Sequence, residues 1–187
     1  MMSKLFAVLL GLIVALSGAL PALSAGFFEP TGGMPLRVHL DPKFKRQIVA
    51  YESSEAAGTL IVDTGDHFLY LILGGGEAMR YGIGTARTGF EWSGTHFITN
   101  KREWPDWTPP AEMLARQPGI PTHMEGGIGN PLGARALYIG GTLYRVHGTN
   151  EPWTIGGDVS SGCIRMINAD VIDLYSRVKI GAKVVVL

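Results

Sequence analysis

Apolar positions in this chain gather in short runs separated by turn residues rather than in long helical stripes. Leu60-Ile61-Val62 reads as a short strand, and Asp63-Thr64-Gly65-Asp66 as a turn. His67 to Leu73 is a near-continuous apolar strand of the kind that fills a sandwich core. Gly74 to Glu77 turns again and Ala78 to Gly84 returns. No helix-length pattern separates these runs, so they read as sequential hairpins and not as βαβ units. Gly94 to Asn100 is a further strand, and Ala136 to Ile139 with Leu143 to Val146 forms a hairpin around Gly140-Gly141.

Helical periodicity is confined to two places. Ala111 to Arg116 reads as a short helix, with Pro110 at its first position. Ala169 to Val178 is the convincing amphipathic helix, with Val171, Leu174, Tyr175 and Val178 on one face. Asn168 is its expected N-cap, Asp170 suits its first turn, and Gly181 ends it before a closing strand, Lys183 to Leu187. The expected architecture is therefore mainly β, with one C-terminal helix. Between the strands lies a long loop, Lys101 to Gly133, with Trp104, Trp107 and five prolines before Asn130. Loops of this length inside a domain are often functional. Its tryptophans suit either a lid over a cleft or a satellite apolar cluster.

The first 25 residues have the pattern of a secretory signal peptide. Lys4 supplies the basic region, Leu5 to Leu16 an uncharged apolar run of 12 residues, and Pro21 to Ala25 a small-residue cleavage region. The alternative is a membrane anchor, but the apolar run is shorter than the ~20 residues a span needs. The expected organisation is a signal peptide over residues 1–25, an extension over 26–56 and a folded domain over 57–187, in an exported protein with no stable span after cleavage.

Composition narrows the chemistry. The 16 Lys and Arg balance 16 Asp and Glu, which argues against a nucleic-acid partner. Glycine, at 26 of 187 residues, is about twice as frequent as usual and fits a turn-rich β protein. The single cysteine, Cys163, rules out an internal disulfide and a multi-cysteine metal site. An unpaired thiol in an oxidising compartment is exposed to damage, so it is either buried and inert or a nucleophile.

Its neighbours favour the nucleophile. His147 precedes Cys163 by 16 residues, across a loop containing Gly and Pro, and imidazole is the usual activator of a thiol. Ser161-Gly162-Cys163 places small residues around the sulfur, so that backbone N–H groups can face a developing oxyanion. Arg165, two residues further along an extended segment, suits a substrate carboxylate.

These segments resemble the L,D-transpeptidase catalytic domain family (YkuD-like). The family pattern is a His followed 14–17 residues later by Ser/Thr-His-Gly-Cys, an apolar residue, and Arg or Asn. Here His147 is followed by Ser160-Ser161-Gly162-Cys163-Ile164-Arg165, with Asn130-Pro131-Leu132-Gly133 and His147-Gly148-Thr149-Asn150-Glu151-Pro152-Trp153 in support. The likeness runs from about Ala57 to Leu187 and departs at Ser161, where the family usually has His.

The resemblance implies a β-sandwich with a lid-like loop, and a cysteine acyltransferase acting on the tetrapeptide stem of peptidoglycan. Cys163 would be the nucleophile, His147 the base and proton donor, and the Gly148 carbonyl the group that orients His147. Backbone N–H groups at Ser161, Gly162 and Cys163 would line the oxyanion hole, and Arg165, Tyr138 and Trp153 would form the substrate wall, in a periplasmic catalytic domain over 57–187. No metal or organic cofactor is implied. The product would be a 3→3 cross-link. Water as acceptor would make the enzyme an L,D-carboxypeptidase, and an amine of an outer-membrane protein would make it an anchoring enzyme. A peptidoglycan-binding module with a dead site is the non-enzymatic alternative.

Overall fold

The computed structural model describes residues 40–187. The expected signal segment and residues 26–39 lie outside the described residues. In chain order the strands are β1 (Gln47–Ala50), β2 (Leu60–Asp63), β3 (Phe68–Gly74), β4 (Glu77–Gly82), β5 (Thr85–Ala86), β6 (Gly94–Glu103), β7 (Arg135–Ile139), β8 (Arg145–His147), β9 (Asp158–Ser160), β10 (Ile164–Arg165) and β11 (Lys183–Val186). Two α-helices interrupt them, α1 (Ala111–Arg116) and α2 (Asn168–Arg177). No helix among the described residues is long and apolar enough to cross a membrane.

Nine strands form one sheet in the order β1-β4-β3-β2-β11-β6-β7-β8-β10, and β5 pairs with β9 apart from it. The β2–β3–β4 meander is antiparallel, as the hairpin pattern predicts. The parallel pairs β11–β2, β10–β8 and β5–β9 were not expected, since they join segments far apart in sequence. β6 is longer than its apolar pattern: it pairs with β11 over Gly94–Phe97 and with β7 out to Glu103. The polar end of β6, Asn100 to Glu103, is held by backbone pairing and has no hydrophobic signature, so the long loop starts at Trp104.

One core joins the two halves of the sheet. Leu60, Val62, Leu69 and Val184 come from the β2–β3–β11 side, Leu137, Val146 and Ile164 from the β7–β8–β10 side, and Val171 and Leu174 from α2. The alternation of a strand sends every second residue to this core. Ile61, Ile72 and Ala78 bury the opposite face of the meander, with Tyr51 and Tyr70 packed against them. α2 is fixed at its C-terminal end by Lys101, whose Nζ donates to the carbonyls of Tyr175 and Val178, each at 2.6 Å. A cation at this end satisfies carbonyls that the helix leaves unpaired.

Three local expectations are corrected. His67 is not in a strand: it sits in the turn before β3 at φ +60°. Leu143 belongs to the turn and is exposed, and β8 begins at Arg145, because Thr142 ties the turn to Ile139. Asn168 is not the N-cap of α2; that position is Ile167, with no capping side chain. The Asn168 carboxamide instead accepts the Ala134 N–H at 2.9 Å and so pins the end of the long loop.

Candidate active site

Sheet register brings the candidate residues together. Tyr138 pairs with Arg145 and Ala136 with His147 across β7–β8. Val146 pairs with Ile164 and His147 with Arg165 across β8–β10. Leu137, Val146 and Ile164 face the core, so Tyr138, Arg145, His147 and Arg165 share the opposite face. Extending the β8–β10 register by one residue sets Cys163 beside Arg145, diagonal to His147. Two adjacent rows thus cross this face: Tyr138, Arg145 and Cys163, then Ala136, His147 and Arg165.

His147 is buried at 4% exposure, and its Nδ1 lies 2.5 Å from the Gly148 carbonyl. A carbonyl only accepts, so Nδ1 carries the proton and Nε2 keeps its lone pair. Burial, together with the Arg165 and Arg145 guanidiniums, lowers the imidazole pKa to about 3 against the opposing Gly148 hydrogen bond. The ring is therefore a neutral acceptor at neutral pH. Gly148 has to be glycine because a Cβ there would collide with the Asn168 carboxamide.

Cys163 is a free thiol, partly exposed, at the end of a tight loop. Ser160 organises that loop. Its Oγ accepts the Gly162 N–H at 3.1 Å and donates to the Cys163 carbonyl at 2.6 Å. The Gly162 N–H is therefore committed to Ser160, unlike in the expected oxyanion set. Among the described residues the N–H groups of Ser161 and Cys163 meet no acceptor. Gly162 has φ +112°, and a Cβ there would enter the Tyr144 ring. Tyr144 stacks on Trp92 with centroids 4.8 Å apart, and the Trp92 indole N–H donates to the Gly162 carbonyl at 2.7 Å.

Ser160, Tyr144 and Trp92 were not singled out for this support. Ser160 stood in the tetrapeptide itself, whereas Trp92 is 70 residues away and gave no local signal. The expected substrate wall is uneven. Arg165 is engaged by Glu151 at 2.9 Å, Tyr138 is half-buried under the Arg145 guanidinium, and Trp153 is 65% exposed on the loop after β8. The long loop is tied at its base by the Trp104 N–H to the Ala134 carbonyl and internally by paired Trp107 and Met124. Its helix α1 buries no residue, and Arg116 of α1 reaches Phe90 on the loop before β6.

A cleft of about 250 Å³ opens behind the thiol loop, with Thr85, Trp92, Asp158, Gly162 and Ile164 in its wall, but neither Cys163 nor His147. A larger one, about 880 Å³, lies beside Glu55, Leu73 and Lys183 and touches no candidate residue. The register of the sheet, not cavity size, marks the site. Among the described residues no three His, Cys, Asp or Glu side chains converge on a metal position.

Comparison with known proteins identifies the family. Residues 57–186 match the model of the YkuD family, described as the L,D-transpeptidase catalytic domain. The probable L,D-transpeptidase ErfK/SrfK of Escherichia coli K12 is 38% identical over 117 residues, covering 59% of this chain and 37% of that protein. The chain thus spans little more than a third of that relative. A Brucella melitensis crystal structure, described as a probable carnitine operon oxidoreductase, is 47% identical with a TM-score of 0.53, covering 79% of this chain and 96% of that one. The catalytic domain of an E. faecium L,D-transpeptidase, solved acylated by ertapenem, shares the fold at 19% identity with a TM-score of 0.56, covering 72% of this chain and 100% of that one.

Proposed function

The chain belongs to the L,D-transpeptidase catalytic domain family, and on that premise we propose that it is an exported acyltransferase in which Cys163 attacks the stem peptide of peptidoglycan. The observation that carries this reading is the pairing of β8 with β10, which sets His147 and the thiol loop on one face with Nε2 as the sole ring acceptor.

The steps follow from the groups present. Nε2 of His147 takes the thiol proton as Sγ attacks the carbonyl of the third stem residue, diaminopimelate. The Ser161 and Cys163 N–H groups receive the oxyanion. Collapse breaks the peptide bond, and the imidazolium returns its proton to the departing D-Ala amine. The thioester keeps the acyl group activated, so no external energy source is needed. An amine of a second stem, deprotonated by His147, then attacks the thioester and restores the thiol, giving the 3→3 cross-link. Gly148 holds the imidazole and is a positioning residue.

The test combines two measurements. The wild-type protein incubated with a carbapenem should gain the mass of one acyl adduct, and purified peptidoglycan treated with it should gain 3→3 dimers. Cys163→Ala should fold normally and do neither. Tripeptide stems without dimers would make water the acceptor, and protein-linked stems would make it a protein amine. An adduct on Cys163→Ala, or no adduct on wild type, would overturn the reading. The oxidoreductase name of the Brucella protein is the competing assignment, and a redox enzyme would leave peptidoglycan composition unchanged.

A further inference from the structure

Two guanidiniums flank His147, and they differ in what they already hold. Arg165 is paired with Glu151 at 2.9 Å. Arg145 has no carboxylate partner among the described residues, and its Nε is buried without a hydrogen bond. Its guanidinium lies over the Tyr138 ring, 5.3 Å from the centroid. Register pairs Arg145 with Tyr138 on one side and, extended by one residue, sets it beside Cys163 on the other.

From this juxtaposition we propose that Arg145, not Arg165, is the carboxylate-binding residue of the acyl donor. The inference rests on the acyl-transfer reading above. A guanidinium is a planar fork of donors that accepts a carboxylate in two parallel hydrogen bonds. The cation–π contact with Tyr138 restrains the guanidinium before substrate arrives, which reduces the ordering cost of binding. The buried, unpartnered Nε is a donor already removed from water, so an incoming carboxylate gains a hydrogen bond without stripping a competing one. The thiol is one strand away, so a carboxylate held at Arg145 lies close to the bond that Cys163 attacks. The tetrapeptide stem offers two such groups next to that bond: the side-chain carboxylate of diaminopimelate and the terminal carboxylate of D-Ala. Both are recognised by the same chemistry. Arg165 cannot serve equally, because a second anion beside it would compete with Glu151.

The test uses the full chain and synthetic stem tetrapeptides in three forms: both carboxylates free, only the diaminopimelate carboxylate amidated, and only the terminal one amidated. Wild type should release D-Ala from the free form about 10–100-fold faster, as kcat/KM, than from one of the two amidated forms, and that form names the carboxylate bound. Arg145→Gln should lose about the same factor on the free form, mainly in KM, and little on the amidated form that wild type already handles poorly. Arg145→Lys should recover part of the loss, since it restores charge but not the fork. Arg145→Gln removes one of the two cations that lower the His147 pKa, so the pH profile of Cys163 alkylation by neutral iodoacetamide should not move to higher pH in either variant. No preference by wild type among the three donors overturns the proposal. So does an equal loss on all donors in Arg145→Gln, or an alkylation profile moved to higher pH, which would make Arg145 a support of the thiolate instead. Failure of the acyl-transfer reading looks different: wild type then releases D-Ala from no donor, and the proposal falls with it.

Discussion

The meander β2–β3–β4 and the strands β7, β8 and β10 lie in one sheet and use their two faces differently. In the meander both faces are apolar: Leu60, Val62, Leu69 and Leu71 fill the main core, and Ile61, Ile72 and Ala78 the outer cluster. In β7, β8 and β10 only one face is apolar: Leu137, Ile139, Val146 and Ile164 point inward, and the opposite face carries Tyr138, Arg145, His147 and Arg165. The first region is built from chain neighbours joined by short turns. The second depends on a parallel pairing that closes only after the chain has travelled from His147 to Ile164. The first arrangement buries apolar side chains on both faces, and the second leaves one face to the candidate site.

The largest expected effect separates these two roles. His147→Ala should cut the rate of Cys163 acylation by about 10²–10⁴, the range for loss of a general base, with little change in secondary structure. Leu69→Ala in the meander should do the reverse, lowering stability by about 2–5 kcal/mol while the folded protein acylates at the wild-type rate. The wild-type rate should also keep its acid limb well below pH 6.5, because burial holds the His147 pKa at about 3. Acylation assays from pH 4 to 8, with chemical denaturation of both variants, check the contrast. A limb at pH 6.5, or a slow Leu69→Ala enzyme, would break it.

A smaller effect distinguishes the two serines of the thiol loop. Ser160→Ala removes the hydroxyl that joins the Gly162 N–H to the Cys163 carbonyl and leaves both partners short. Losses of about 1–3 kcal/mol follow from such orphaned groups, so acylation should slow by about 10–100-fold. Ser161→Ala should stay within about tenfold, since only its backbone N–H is assigned to the oxyanion. A loss beyond about a hundredfold in Ser161→Ala, with the fold intact, would make its hydroxyl an oxyanion donor.

How much of this was legible in the sequence follows the same division. The strands β2, β3 and β4 carry their apolar signature locally, so the mainly β fold could be read from period and turns alone. β9 and β10 are too short for any period, and the end of β6 is polar, so only backbone pairing reveals them. His147 and Cys163 were readable because residue type and spacing both narrow the chemistry. Trp92 and Tyr144 were not, since they act on Gly162 by stacking and by one indole hydrogen bond, which leave no pattern in the chain. Arg165 was singled out over Arg145 because adjacency to the cysteine is visible in sequence, and the Glu151 pair that occupies it is not.

A last effect concerns pH and stability, and it sets buried His147 of the second region against buried Asp170 of α2. His147 is neutral when folded, with a pKa lowered to about 3 from the ordinary 6.5. The unfolded chain therefore binds more protons between those values, and this group removes stability as pH falls from about 6.5. Asp170, in the first turn of α2, is the opposite case. Burial raises its carboxyl to about 6 from 3.8, its Oδ2 has no hydrogen-bond partner, and Arg46 at 3.8 Å offsets the cost only in part. Here the folded chain binds more protons between about 4 and 6, so this group adds stability as pH falls through that window. Asp173 beside it is held below its ordinary range by hydrogen bonds from Arg177 and Tyr81, which outweigh burial, and it titrates under the window. The two buried groups thus oppose one another, and wild-type stability should change little between pH 4 and 6. Asp170→Asn removes one of them. Its amide carries a pH-independent cost or gain against Arg46, so the diagnostic quantity is the change in the difference from wild type. That difference should grow in favour of the variant by about 2–3 kcal/mol from pH 4 to pH 7. Urea denaturation of both proteins at a series of pH values measures it. Parallel stability curves would show that Asp170 is ionised in the fold without penalty and that the compensation does not exist.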